Sequence, residues 1–275
     1  MKLPNNIVEN VQLALQEDIA TGDVTAELIP VTAQSTAYII CRDTAILAGA
    51  EWLNETFQQI DPQVKINWHY EDTSPIEANT LICTLSGSSR SLLSGERVAL
   101  NFLQLLSATA TQTHHYVTAI ENTVTKILDT RKTIPGLRLA QKYAVRCGGG
   151  ENHRMGLYDR VLIKENHIMA AGSIKQAVTQ AKQQHPELLI EVEAETIDEF
   201  QQASQAGADI IMLDNFTLEA MKKVVFLNNH HVKLEASGGI NLDSVKAIAA
   251  TGIDYISIGQ ITKDVIAIDL SMRFE

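Results

Sequence analysis

Short apolar runs, each ending in polar residues, recur through the C-terminal part of the chain with helical segments between them. The runs are KILDT, RVLIKENH, LLIEVEAE, DIIMLDN, VKLEASGG and DYISIG. Strands and helices that alternate at this spacing predict a parallel sheet. Glu193, Asp214 and Glu235 recur every 21 residues, a period that suits one strand, one helix and two loops and favours a barrel. Because six runs are visible where a complete barrel has eight strands, we expect an incomplete barrel.

A different pattern precedes residue 105. Residues 35–41 (STAYIIC) and 80–85 (TLICTL) are typical of short strands, and the loops between them are rich in Asn, Asp, Ser and Pro. The following segment predicts one long helix over residues 91–120, because Val98, Phe102 and Leu105 recur at helical spacing. The change of pattern indicates a domain boundary near residue 105.

Strand alternation gives the C-terminal runs one polar face. In LLIEVEAE, the glutamates Glu191, Glu193 and Glu195 lie opposite the apolar residues. Lys164 and Asp214 occupy comparable positions in their own runs. Because unpaired charge is costly to bury, we expect this face to line a polar mouth at the carboxyl ends of the strands, where barrel enzymes place their chemistry. For any single residue the alternative is internal ion pairing, for instance between Lys164 and Glu193.

Composition and charge narrow the class of partner. Hydrophobic residues make up 45% of the chain and charged residues 20%, which is typical of a globular protein. The formal net charge of -11 argues against nucleic acid and anionic membrane as partners. The three cysteines are widely spaced, and the N-terminus lacks the apolar segment of a signal peptide. No apolar run reaches membrane-spanning length, so we expect a cytoplasmic protein.

Positive charge is concentrated in three short segments. Arg131 and Lys132 directly follow the first run, and adjacent cations of this kind can bind carboxylate or phosphate. His153 and Arg154 follow three glycines, which permit close backbone approaches. Lys164 can bind an anion or form a Schiff base, and its position alone does not separate these roles. A solvated basic turn and a flexible glycine loop are the alternatives for the first two segments taken singly. Together the segments predict a site for a small polyanion.

The ends of the last two runs are candidates for phosphate binding through backbone N–H groups, with ordinary tight turns as the alternative. The residues are Ser237, Gly238 and Gly239 after one run, and Ile258, Gly259 and Gln260 after the other. Glu193 and Asp214 are candidate ligands for Mg²⁺, which prefers oxygen donors, or for ribose hydroxyls.

The ordered set of motifs resembles the quinolinate phosphoribosyltransferases, and the likeness covers nearly the whole chain. It includes EDIATGDVT, SGERVALNFLQLLS, the long segment LDTRKTIPGLRLAQKYAVRCGGGENHRMGLYDRVLIKENHI, and then EVEAET, MLDNF, EASGGI, ISIGQIT and DLSMRF. The resemblance implies an α/β fold, with an N-terminal α/β sandwich over 1–106 and an incomplete, TIM-like α/β barrel over 107–267. It further implies that the tail, 268–275, packs on the N-terminal domain.

The resemblance also implies a reaction and its partners. Quinolinate and phosphoribosyl pyrophosphate (PRPP) would give nicotinate mononucleotide, pyrophosphate and CO₂ in NAD biosynthesis, with Mg²⁺ as cofactor. The implied catalytic residues are Lys132, Lys164, Glu193 and Asp214. The last two would also bind the metal indirectly, through PRPP and water. The implied substrate-binding residues are Arg97, Thr130, Arg131, Lys132, His153, Arg154, Lys164, Glu193, Asp214, Ser237, Gly238, Gly239, Ile258, Gly259 and Gln260.

The family implies a homodimer or larger assembly in which Arg97 reaches the partner's site. Two residues depart from the pattern, since Gly95 stands where Ala is expected and Gln260 replaces a common Ala. Gln260 could alter phosphate contacts through its backbone neighbours. The competing interpretations are a Schiff-base aldolase acting through Lys164 and a non-catalytic paralogue of the same family.

Overall fold

The structure is a computed structural model that describes residues 1–275. Twelve strands and ten α-helices follow one another along the chain. In order they are α1 Ile7–Asp18, β1 Gln34–Cys41, β2 Ala45–Ile46, α2 Ala50–Ile60, β3 Lys65–Trp68, β4 Pro75–Ile76, β5 Thr80–Ser88, α3 Ser89–Ala119, β6 Lys126–Leu128, α4 Arg138–Cys147, β7 Val161–Ile163, α5 Glu165–Ala171, α6 Ile174–Gln184, β8 Ile190–Ala194, α7 Ile197–Ala206, β9 Ile210–Asp214, α8 Leu218–Asn228, β10 Lys233–Ser237, α9 Leu242–Ala249, β11 Tyr255–Ser257, α10 Gln260–Lys263 and β12 Leu270–Phe274.

The chain packs as two compact units. The first contains residues 1–114, 133–149 and 261–275, and the second contains 115–132 and 150–260. The strands expected over 35–41 and 80–85 are β1 and β5, and the long helix expected over 91–120 is α3. No helix combines the length and apolar character needed to cross a membrane.

The first unit is built on a four-stranded antiparallel sheet in the order β12-β1-β5-β3. The last strand of the chain therefore lies at one edge, beside β1. Helices bury apolar side chains in a core with this sheet, among them Leu53 and Phe57 of α2 and Leu103 of α3. Such burial contributes about 1.5–3 kcal/mol for each large side chain.

The second unit is built on a six-stranded parallel sheet in the order β6-β11-β10-β9-β8-β7. No ladder joins β6 to β7, so the sheet does not close. Six parallel strands with intervening helices, after an N-terminal sheet domain, confirm the predicted fold class. Because the strands are parallel, their carboxyl ends share one edge, where Asp214 at the end of β9 pairs in register with Ser237 at the end of β10.

Local sequence signals fix the helix ends in this unit. At α7 the Thr196 hydroxyl accepts from the Glu199 backbone N–H while the Glu199 carboxylate accepts from the Thr196 N–H, which is a complete capping box. At α6 the Ser173 hydroxyl accepts from the Gln176 N–H, so half of the expected box is present. Gly207 ends α7 in the left-handed conformation at φ 81°. These caps set where each helix begins relative to its preceding strand.

Candidate active site

A polar cavity of about 340 Å³ opens at the carboxyl ends of the parallel strands. We call it the mouth cavity, and all of its lining residues belong to the second unit. Nine of the sequence-predicted site residues lie around it. The lining comprises Thr130, Arg131, Lys132, His153, Arg154, Leu162, Lys164, Glu193, Met212, Asp214, Glu235, Ser237 and Ser257.

The first basic segment is a structured turn that follows β6. The Lys132 backbone N–H donates to Thr130 Oγ1 at 3.0 Å, which turns the chain directly after the strand. Gly259 lies beside this turn, since a Cβ built on it would be 3.0 Å from Lys132 Cδ. The loop after β11 is thus packed against the turn after β6, as the pairing of the two strands requires.

The second basic segment is held against the first by Asp129, a residue outside the sequence-predicted site. Its buried carboxylate accepts from the His153 backbone N–H at 2.9 Å and from Asn152 Nδ2 at 2.6 Å. Because Asp129 follows β6 and precedes the Arg131 turn, this carboxylate brings the loop of His153 and Arg154 to the same strand end. Its position as the polar residue that ends an apolar run was the available signal.

The Arg154 guanidinium lies in an environment that disfavours its positive charge. Burial, and then the positive charge of Arg131, lower the pKa of the Arg154 guanidinium. Two guanidiniums held close enough to repel each other store unfavourable energy that a bound anion offsets. The mouth cavity is therefore suited to an anion with more than one negative group.

Lys164 and Glu193 form the ion pair that the sequence left open as an alternative. Lys164 Nζ donates to Glu193 Oε2, and the lysine side chain is 46% exposed while that of the glutamate is 13% exposed. Both still line the mouth cavity, so pairing within the protein and exposure at the mouth occur together.

Beneath the mouth lies a buried group that we call the floor cluster: His153, Arg160, Glu191 and Glu235. Glu191 and Glu235 are fully buried. His153 Nε2 is 2.9 Å from Glu191 Oε2 and 3.5 Å from Glu235 Oε2, and Arg160 Nη1 donates to Glu191 Oε2 at 3.3 Å. The polar-face pattern included Glu191 and the 21-residue period included Glu235, but neither showed that these residues lie at the floor.

The pKa values of the two floor glutamates are shifted in opposite directions. Burial, reinforced by the charge of Glu191, raises the pKa of Glu235 well above its usual value of 4.5. Burial also acts to raise the pKa of Glu191, but the hydrogen bond from His153 and the charge of Arg160 outweigh it and lower that pKa. The cluster therefore keeps one carboxylate charged and one carboxyl neutral.

The predicted phosphate loops lie at the ends of β10 and β11. Gly238 adopts φ 102°, and a Cβ there would be 2.1 Å from Asn215 Oδ1, so only glycine fits. Gly239 adopts φ 59° with open space around its Cβ position. Ile258 is buried and donates its backbone N–H to the Leu128 carbonyl. Gln260 Oε1 accepts from the Tyr116 hydroxyl at 3.0 Å.

Of the two predicted phosphate loops, only Ser237 lines the mouth cavity. The residues that do not line it are Gly238, Gly239, Ile258, Gly259 and Gln260.

Arg97 lies on α3 in the first unit, with a side chain that is 60% exposed and 3.9 Å from Glu96. Gly95, on the same helix, packs against Phe57: a Cβ at this position would be 2.6 Å from that ring. The alanine expected here would therefore require this ring to shift.

Two carboxylates of the mouth cavity fit a hard divalent cation. Glu193 is the penultimate residue of β8 and Asp214 is the last residue of the neighbouring parallel strand β9, and both are partly accessible. Asp214 Oδ2 accepts from Asn215 Nδ2 at 2.8 Å. Oxygen donors that remain partly solvated suit Mg²⁺, which retains several waters and contacts substrate phosphates.

Comparison with known proteins extends this picture over the whole chain. The family model described as "Quinolinate phosphoribosyl transferase, N-terminal domain" matches residues 23–107, and the one for the C-terminal domain matches 109–273. The chain is 44% identical over 257 residues to a probable nicotinate-nucleotide pyrophosphorylase (carboxylating) of Bacillus subtilis, covering 93% of this chain and 89% of that one.

A similar relation holds to a decarboxylating quinolinate phosphoribosyltransferase of Nicotiana glauca, at 37% identity over 98% of this chain and 82% of the relative. Among solved structures, the nicotinate-nucleotide pyrophosphorylase from Francisella tularensis superimposes with a TM-score of 0.97 at 51% identity, covering 100% of this chain and 98% of that one.

Proposed function

Because the chain belongs to the quinolinate phosphoribosyltransferase family, we propose that its mouth cavity binds quinolinate and PRPP side by side. The chain is a decarboxylating phosphoribosyltransferase of NAD biosynthesis. It joins the two substrates and releases nicotinate mononucleotide, pyrophosphate and CO₂. The observation that carries the assignment of the cavity is that Arg131 and Arg154 both line it, and a dicarboxylate would offset the repulsion between their charges.

The basic residues of the cavity would hold the dicarboxylate. Arg131 and Arg154 present guanidinium forks that match carboxylates, while Lys132 and Lys164 supply point charges for a carboxylate or a neighbouring phosphate. His153 would act from the floor of the cavity, which it lines. Lys164 is engaged by Glu193, and we assign it to charge neutralisation and not to a Schiff base.

Ribosyl transfer needs no side-chain nucleophile. The pyridine nitrogen of quinolinate attacks C1 of PRPP as the bond from C1 to the pyrophosphate oxygen breaks. The sugar passes through a state that resembles an oxocarbenium ion, and the carboxylates of Glu193 and Asp214 would stabilise its positive charge. The same two residues would hold Mg²⁺ through water, and the metal when bound would neutralise charge on pyrophosphate.

Decarboxylation follows from the product of that step. The pyridinium ring accepts the electron pair of the bond to the C2 carboxylate, CO₂ leaves, and a proton then takes its place on the ring carbon. The enzyme's contribution would be to hold the ring with the cations of the mouth cavity. The 5′-phosphate would lie on the backbone of two loops, Ser237, Gly238 and Gly239 in one and Ile258, Gly259 and Gln260 in the other.

The assembly is part of the proposal. We assign the active form to a cytoplasmic homodimer or larger oligomer in which Arg97 completes the site of a partner subunit. Arg97→Ala and Arg131→Ala proteins, each inactive alone, should regain activity when mixed and allowed to exchange subunits, because the two defects would then fall in different sites. Mixed protein that stays inactive despite verified exchange would contradict a shared site.

A substrate comparison tests the activity. Purified chain with Mg²⁺ and PRPP should release CO₂ from quinolinate and form nicotinate mononucleotide. Formation of that product from nicotinate but not from quinolinate would show that the substrate is wrong. Borohydride trapping of a substrate on Lys164 would favour the aldolase, and calorimetry that detects no quinolinate binding would favour a non-catalytic paralogue.

Two arginine variants test the cavity. Arg131→Ala and Arg154→Ala should each weaken quinolinate binding by about 2–5 kcal/mol, because each leaves a carboxylate unpaired in a partly desolvated site. Arg146→Ala, which removes an exposed arginine outside the cavity, is the matched control. Wild-type quinolinate affinity in both cavity variants, measured by titration calorimetry, would refute the assignment.

A further inference from the structure

One carboxylate oxygen of the floor cluster holds two groups that come from the same loop region. Glu191 Oε2 faces His153 Nε2 at 2.9 Å and accepts from Arg160 Nη1 at 3.3 Å. The glutamate is fully buried on β8. Charge at such a position is tolerated only with close partners, and these two contacts stabilise the ionised form of Glu191.

The hydrogen bonds of His153 define where its ring proton lies. The backbone N–H of Arg154 donates to His153 Nδ1 at 2.8 Å, so Nδ1 carries a lone pair and the ring proton is on Nε2, facing Glu191. A metal ion on Nε2 would need the proton on Nδ1, where it would oppose the Arg154 N–H. Although His153, Glu191 and Glu235 are close enough to surround a cation, the ring is thus oriented with Nδ1 toward the Arg154 N–H and Nε2 toward Glu191.

A second route leads from Glu191 to the same arginine. The Arg160 side chain is held by Glu191, and the Arg160 backbone carbonyl accepts from Arg154 Nη1 at 3.4 Å. His153 therefore fixes the backbone of Arg154, and Arg160 fixes its guanidinium. Both restraints meet at one buried carboxylate.

We infer that Glu191 is a positioning residue that holds Arg154 in place for the substrate's carboxylates, without touching the substrate itself. The inference rests on the proposed function. Repulsion from Arg131 would otherwise favour a guanidinium swung away from the cavity, and binding would then have to overcome that rearrangement. A pre-organised guanidinium removes this cost, which is how positioning groups usually contribute.

The test compares Glu191→Gln with Glu195→Gln, which changes an exposed glutamate just after the end of the same strand. Glu191→Gln keeps the size of the side chain but removes the charge that holds His153 and Arg160. We expect the KM for quinolinate to rise about 100-fold while the KM for PRPP stays at the wild-type value. Glu195→Gln should match wild type in both constants.

A double-mutant cycle separates positioning from general damage. If Glu191 acts through Arg154, adding Glu191→Gln to Arg154→Ala should raise the KM for quinolinate no further, because the two changes share one effect. Equal increases in the KM of both substrates, additive effects in the double variant, or unchanged kinetics in Glu191→Gln would each overturn the inference.

A milder variant covers the case in which Glu191→Gln does not fold. Arg160→Lys keeps the positive charge and the backbone carbonyl but loses the guanidinium contact, and should raise the KM for quinolinate alone, by less. An equal rise for PRPP, or none for quinolinate, would overturn the inference. Wild-type protein that does not turn over quinolinate would instead overturn the proposed function, and this inference with it.

Discussion

Glu235 offers a direct test of how the floor cluster is charged. The residue is fully buried on β10, and burial together with the charge of Glu191 raises its pKa well above 4.5. Folded protein therefore holds a proton on Glu235 at pH values where the unfolded chain has lost it. Glu235→Gln reproduces the neutral side chain and can still donate a hydrogen bond toward Glu191, so it removes the titration with little change of shape.

The size of the pH effect on the free energy of unfolding follows from the single proton that Glu235 binds. Between pH 4.5 and the pKa of Glu235 in the folded state, the native wild type binds one more proton than the unfolded chain. Its free energy of unfolding therefore falls by about 1.4 kcal/mol for each unit of rising pH on account of this group. Glu191, whose pKa is lowered, contributes in the opposite sense, but it is present in both proteins and cancels in their difference.

Equilibrium unfolding in denaturant at a series of pH values measures that difference. The difference is the free energy of unfolding of Glu235→Gln minus that of wild type. It should be constant below pH 4.5. Above pH 4.5 it should rise by about 1.4 kcal/mol for each pH unit. Glu195→Gln, which changes an exposed glutamate, is the control for loss of a glutamate charge outside the buried cluster. A flat or falling line for Glu235→Gln would refute the argument that Glu235 is neutral in the folded protein.

Three further outcomes test the packing. Gly148→Ala should lower the free energy of unfolding by about 3 kcal/mol, because its Cβ would lie 2.2 Å from the Ala110 carbonyl oxygen. Gly136→Ala, at φ 80° in open space, should lose only about 1–2 kcal/mol, and similar losses would count against the clash. Burial raises the pKa of the Cys83 thiol to about 12, so a thiol reagent at pH 8 should label it only after unfolding; prompt labelling of native protein would contradict its burial. Thr196→Ala should lower the Tm through loss of the α7 cap, equivalent to about 1 kcal/mol, and an unchanged Tm would refute that contribution.

The glycine segment shows how a local pattern can leave its role open. Three consecutive glycines were compatible with a flexible loop or with close backbone approaches. In the structure Gly148 follows α4, and the space where its side chain would lie is filled by the Ala110 carbonyl and Thr113. Gly149 adopts φ 89°, which favours glycine. A contact with residues nearly forty positions earlier in the chain decided between the alternatives, and no local signal encodes it.

The glutamates in and just after β8 show a second limit of prediction from sequence. Alternation places Glu191, Glu193 and Glu195 on one strand face and treats them alike, but β8 ends at Ala194, so Glu195 lies beyond the strand. The structure makes Glu191 fully buried, Glu193 partly exposed and Glu195 exposed. Residues two apart on a strand, such as Glu191 and Glu193, are separated by about 6–7 Å along its axis. Glu195 follows the end of the strand, so exposure increases from Glu191 to Glu195. Depth depends on how neighbouring strands and loops cover each level.

By itself the sequence determined the alternation of strands and helices, the polar strand ends and the basic segments that gather at the mouth cavity. These follow from periodicity and from the rule that parallel strands present their carboxyl ends at one edge. Only the tertiary structure decided that Asp129 joins the two basic segments, that Lys164 pairs with Glu193, and that His153 faces a buried carboxylate below the mouth. Such contacts link residues far apart in the chain, and their energies depend on burial and distance, which no local pattern of residues specifies.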